Sequence, residues 1–113
     1  MRYLMFVATD PDGEAPDDDR DADLARAWVA DVDGRGKRLV GDRLRPAADA
    51  TTVRVRQGEL LVTDGPFVES KDWIAGFDVL DCDDLDEAIE IASRHPMARA
   101  GRLELRPVWP FGT

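Results

Sequence analysis

The rhythm of apolar and polar positions changes several times along this chain, and each change marks an element. "RYLMFVA" (2–8) is a short apolar run that reads as a strand, with Tyr3, Met5 and Val7 on one face and Leu4 and Phe6 on the other. Both faces should therefore be covered. "TDPDGEAPDDD" is a polar loop punctuated by Pro and Gly. From about Asp18 to Asp33 the period becomes helical. Leu24, Trp28 and Val32 fall four apart with Ala25 and Val29 beside them, acids crowd the start, and Gly34 or Gly36 supplies a left-handed cap. "RLVGDRL" (38–44) predicts a second strand interrupted at Gly41, and a connection through Pro46 follows. "TTVRVRQGELLVTD" alternates cleanly and predicts a hairpin turning at Gln57–Gly58. "DWIAGFDVLD" predicts a fifth strand. "DDLDEAIEIASRH" predicts a second helix with Leu85, Ala88, Ile89 and Ala92 on one face, Asp84 and Glu87 at capping spacing, and Pro96 as its limit. "GRLELRPVW" predicts a last strand with Leu103 and Leu105 inward.

The order strand, helix, strand, hairpin, strand, helix, strand implies an α+β fold, with one antiparallel sheet carrying both helices on one face. Two helices cover one side of such a sheet, yet the first strand is apolar on both. The uncovered side is expected to meet a second copy of the chain, giving a homodimer packed sheet to sheet. The alternative is that the C-terminal "VWPFGT" and the loops fold back over it.

Composition narrows the function classes. At 113 residues the chain reads as a single domain, 1–113. Its net charge of −9, from 24 acids and 15 bases, disfavours nucleic acid and anionic membrane as partners. The N-terminal run is too short and too sparsely basic for a signal peptide, and no apolar run reaches membrane-spanning length. A soluble, cytoplasmic chain is expected. Cys82 is the only cysteine, with acids beside it that would raise its pKa, so neither a disulfide nor a reactive nucleophile is expected. One histidine and scattered carboxylates form no recognisable metal-ligand cluster, and no cofactor is implied.

"VTDGPFVESKDWIAGFDVLDCDDLDEAIEIASRHP", followed by "GRLELRPVW", resembles the YCII-related family, in the branch known for its DGPF motif. The opening "RYLMFV" and "ATTVRVRQGELLVTDGPF" extend the resemblance over nearly the whole chain. It implies a ferredoxin-like dimeric α+β barrel. It further implies kinship with proteins acting on small chlorinated or hydroxylated aromatic compounds, for which a His–Asp pair has been suggested. DGPF members are often encoded beside alternative sigma factors, which implies a regulatory setting. The histidine of that pair would lie near the first helix, where this chain has Asp, Arg, Ala and Trp instead.

The candidate chemistry centres on "TDGPF". Asp64 ends a strand, Gly65 can take positive φ before Pro66, and the bend has a purely structural reading as a turn. Its functional reading presents the Asp64 carboxylate at the mouth of a cleft as a general base, with Gly65, Pro66, Phe67, Glu69 and Lys71 holding a ligand. Glu69 and Lys71 share a face in extended backbone and read first as an exposed ion pair. His95 is the only imidazole. It ends the second helix, where the dipole favours a protonated ring, so a capping or surface role is expected ahead of a catalytic one. Trp28, Trp73 and Phe77 read as core residues or as the wall of a pocket. Two functions stand side by side: a homodimer that binds a small molecule or a partner protein, or an enzyme of proton-transfer or lyase type on an anionic or phenolic substrate, with Asp64 as base.

Overall fold

The computed structural model describes residues 1–65 and 73–112. Strand β1 (Arg2–Thr9) leads to helix α1 (Asp18–Gly34) and strand β2 (Arg38–Arg43). A one-turn 3-10 helix (Ala47–Asp49) then precedes a hairpin of β3 (Thr51–Arg56) and β4 (Glu59–Asp64). Strand β5 (Ile74–Asp81), helix α2 (Leu85–Ser93), a short helix α3 (Met97–Ala100) and strand β6 (Gly101–Pro107) complete the chain. Four strands form an antiparallel sheet in the order β2-β5-β1-β6, and among the described residues β3 and β4 pair only with each other. With the hairpin set aside, this is the β-α-β-β-α-β arrangement of a ferredoxin-like fold.

The local chemistry follows the expected signals. Asp17 caps α1 by accepting the Arg20 amide at 3.1 Å. At its other end the Lys37 amide reaches Val32 and the Gly36 amide reaches Asp33, a six-to-one and five-to-two pair that closes on Gly36 at φ +69. The hairpin turns on Gln57 (φ 53) and Gly58 (φ 78), the two positive values of a type I′ turn. Asp84 caps α2 by accepting the Glu87 amide, while the Glu87 carboxylate reaches back to the Asp83 amide.

The core lies between the sheet and the helices. Tyr3, Met5, Val7 and Leu80 form its floor, and Trp28, Val32, Ala88, Ile91 and Ala92 its roof. The Trp28 indole N–H donates to the Ile91 carbonyl at 2.9 Å and so ties α1 to α2. Helix α2 is turned relative to the expected face. Ala88, Ile91 and Ala92 are buried, whereas Leu85 and Ile89 are about half exposed. Apolar residues at 85, 88, 89, 91 and 92 allow either stripe, and the contact with Trp28 selects the one containing Ile91. Cys82 is buried, and burial first, then Glu87, pushes its thiol up.

The other face of the sheet carries Leu4, Phe6, Phe77 and Val79, half-buried, with Val40 49% exposed beside them. The tail does not fold back over it, since Trp109 is 86% exposed and Phe111 fully so. Cross-strand pairing also sets Val53 against Val62 and Val55 against Leu60, which leaves four exposed apolar residues on one side of the hairpin. Among the described residues no helix is long and apolar enough to cross a membrane.

Leu80→Ala should test the position of the core, because Leu80 is fully buried beneath both helices. A loss of about 2–5 kcal/mol is expected. It should read out in urea as a lower midpoint with an unchanged slope.

Candidate functional site

At the β2 end of the sheet two glycines interrupt the floor. Positions on β2 and β5 that face the helices are Arg38, Gly41 and Arg43, opposite Leu80, Asp78 and Gly76. The two glycines leave room above the strands, and a cavity of about 410 Å³ opens there. Val7, Ala25, Trp28, Val29 and Met97 supply apolar wall, and Asp21, Arg38, Asp42, Arg43, Asp78 and His95 supply the ionisable groups.

Asp78 is only 6% exposed, the one buried charged residue among those described. Arg38 Nε donates to its Oδ1 at 2.7 Å, Arg38 Nη2 to the Gly41 carbonyl at 2.8 Å, and Arg38 Nη1 to Asp33 at 3.2 Å. Burial raises the Asp78 carboxyl above its ordinary value, and the guanidinium opposes that shift. A Cβ on Gly41 would overlap Asp78 Oδ1 and crowd Arg38 Nη2, so only glycine leaves space for the pair. Asp21 accepts from Arg99. Burial pushes its carboxyl up, and bonds from the Asp17 amide and Arg99 outweigh this to hold it low.

His95 corrects the expectation of a protonated surface cap. It lines the cavity, meets Trp28 edge to face with centroids 4.8 Å apart, and accepts the Met97 amide on Nδ1 at 3.0 Å. Burial lowers its pKa from 6.5 to about 4, so the ring is neutral at physiological pH. The helix-dipole preference of about 0.3–1 kcal/mol for a charged ring is smaller than this desolvation.

The described part of the "TDGPF" stretch, residues 63–65, does not line the cavity. Asp64 is exposed at the end of β4, paired in register with Thr51, and does not line the cavity. Gly65 takes positive φ (93) as expected; its amide donates to Ala50 and its carbonyl accepts from Thr52. Pro66, Phe67, Glu69 and Lys71 lie outside the described residues. Of the aromatic candidates, Trp28 and Phe77 line the cavity and Trp73 does not. Sequence reasoning missed Arg38, Asp78 and Asp21. The glycine interrupting "RLVGDRL" and the one in "IAGF" were their signal, since a glycine within a strand marks a close approach.

A YCII-related domain model matches residues 1–112. The chain belongs to the YCII-related family. A relative, an uncharacterised protein of Rhizobium meliloti (strain 1021), is 43% identical over 68 residues, 58% of this chain. That match spans 55% of the relative's length. Among solved structures, this YCII-related chain is similar to 5-chloro-2-hydroxyhydroquinone dehydrochlorinase (TftG) from Burkholderia phenoliruptrix AC1100, determined with 2,5-dihydroxybenzoquinone. The TM-score is 0.52 at 17% identity, covering 99% of this chain and 96% of that one, a likeness of fold.

Two results should follow. Gly41→Ala should destabilise the protein by about 1–3 kcal/mol, the cost of disturbing a buried charge pair, measured by chemical denaturation. For His95 the folded pKa lies below the unfolded one, so its contribution is complete above pH 6.5 and is lost as pH falls toward about 4. Between pH 7 and 4, wild type should therefore lose about 3 kcal/mol more stability than His95→Asn does. Parallel pH dependences would show that the ring is not held neutral.

Proposed function

We propose that this YCII-related protein is a cytoplasmic homodimer that binds a small molecule in the cavity between α1, the end of β2 and β5, and the α2–α3 junction. The cavity itself carries the reading. Its volume of about 410 Å³ falls within the usual range for ligand sites, and an apolar wall with a few convergent polar groups is their usual lining. TftG, in its complex with 2,5-dihydroxybenzoquinone, holds a small ring compound in a protein of this fold, and at 17% identity that likeness carries the fold alone.

The dimer rests on uncovered apolar surface. Leu4, Phe6, Val40 and Val79 on the open sheet face, and the exposed side of the hairpin, lie where this chain supplies no cover of its own among the described residues. The enzymatic alternative, proton transfer or lyase chemistry with Asp64 as general base, has less support, because Asp64 stands outside the cavity.

A thermal-shift screen of small ring compounds tests the binding. A ligand at a hundred times its Kd adds about 2.7 kcal/mol, a rise of several degrees for a domain of this size. Ala25→Leu, which places a larger side chain on the cavity wall of α1, should abolish the shift and leave the protein folded; a shift that survives it moves the site elsewhere. For the dimer, light scattering should give twice the chain mass for wild type and a lighter species for Val40→Lys. A monomeric wild type would remove the dimer.

A further inference from the structure

Two apolar surfaces of this chain have little over them among the described residues. One is the open face of the sheet, with Leu4, Phe6, Val40, Phe77 and Val79. The other is one side of the hairpin, where Val53, Val55, Leu60 and Val62 are each between 59% and 64% exposed. Among the described residues β3 and β4 pair only with each other and touch the remaining elements sparsely. A two-stranded hairpin alone in water is at best marginally stable. The chain measures 47 × 41 × 21 Å, with a radius of gyration of 16.1 Å. A compact domain of this length has about 13 Å. The hairpin is thus an arm on the packed body, with an apolar side and nothing of its own to set it on.

Charge indicates what the arm fits. At a net −9, two copies repel through most of their surface. These two surfaces are exceptions. Strand alternation puts Arg2, Arg102 and Arg106 on the open side of the sheet, together with Asp42, Asp81 and Glu104. The hairpin likewise carries Arg54 and Arg56 with Glu59 and Asp64. Each surface is balanced, while acids crowd the start of α1 at Asp17, Asp18, Asp19, Asp21 and Asp23. A basic partner would be drawn to α1, whereas a second copy is repelled there and admitted at the balanced, apolar surfaces. Area agrees. The apolar side of the hairpin offers roughly 300 Å², short of the roughly 800 Å² per partner in a standard interface. Reciprocal exchange about a two-fold axis buries the arm and the sheet face of both copies, and so makes up the difference.

We propose that the β3–β4 hairpin is an exchanged arm, which lays Val53, Val55, Leu60 and Val62 of one copy against the β2 side of the other copy's open sheet face, at Val40 and Val79. This rests on the homodimer reading and names the element that makes the contact. Val40 adjoins Gly41, so each arm bears on the strand that floors the other copy's cavity.

Sedimentation equilibrium of wild type and of the double variant Val55→Lys, Leu60→Lys tests the arm. Both positions are exposed within one copy, so the variant should keep its far-UV circular dichroism. Its dimer dissociation constant should rise at least about a hundredfold, the scale of removing two aliphatic side chains from an interface. Cross-linking then locates the contact. Chains carrying Val55→Cys and chains carrying Val40→Cys, mixed and oxidised, should give a covalent dimer that neither gives alone; Cys82 is buried and does not compete. An unchanged dissociation constant in the lysine variant, no covalent dimer in the mixture, or cross-linking of either cysteine chain to itself overturns the exchanged arm and leaves a dimer made by the sheets. A monomeric wild type takes the proposal down together with the homodimer on which it rests.

Discussion

Asp78 is the one charged residue among those described that folding withdraws from water, and it can be withdrawn only together with Arg38. Burying a lone carboxylate costs several kcal/mol, and the pair recovers this only where geometry and further hydrogen bonds are good. Those demands propagate. The guanidinium spends its remaining donors on the Gly41 carbonyl and on Asp33 in the last turn of α1, which ties β2 to both β5 and the helix. Space for the carboxylate excludes a side chain at 41. Gly76, next along the same face of β5, is likewise close to the β2 backbone. The result is a stretch of sheet floor under α1 where two glycines flank the Arg38–Asp78 pair. A well-packed apolar pair would serve stability as well, so the position of this charge at the edge of an opening is better understood through the opening than through the core.

The contrast between His95 and the "TDGPF" bend shows where a local reading stops. Of the bend, local rules foresaw the strand ending at Asp64 and the positive φ at Gly65. A turn is decided by neighbours in sequence. The state of His95 is decided by Trp28, which arrives from another helix, and by the short turn to Met97. From sequence, only the helix dipole was visible, and it favours the charged ring by less than burial disfavours it.

The same distinction runs through the fold. Alternation with Gln57–Gly58 made the hairpin legible, and cap residues made the ends of α1 and α2 legible, because each signal lies within a few residues of what it governs. The rotation of α2 was not legible. Leu85, Ile89 and Ile91 have similar apolar character, and the choice among them is made by the Trp28 indole on the Ile91 carbonyl. Gly41 and Gly76 were visible as oddities in strands, but that they empty one patch required the pairing of β2 with β5.

Strand alternation also couples the two faces of the sheet. On β2 and β5, Gly41, Asp78 and Gly76 form the cavity floor, while the residues between them, Val40, Phe77 and Val79, form the open apolar face. A cover on that open face would press on the same short strands that shape the cavity. Among the described residues strand β2 is an edge with a register shift between Arg38 and Val40, and it holds to the sheet through β5 alone. An irregular edge strand is the part of such a sheet most easily displaced. The Arg38–Asp78 pair restrains it from the helix side, and a second copy packed on the other side would restrain it from below. A cover on that face would therefore act on the cavity through a single strand, at Val40 and Gly41.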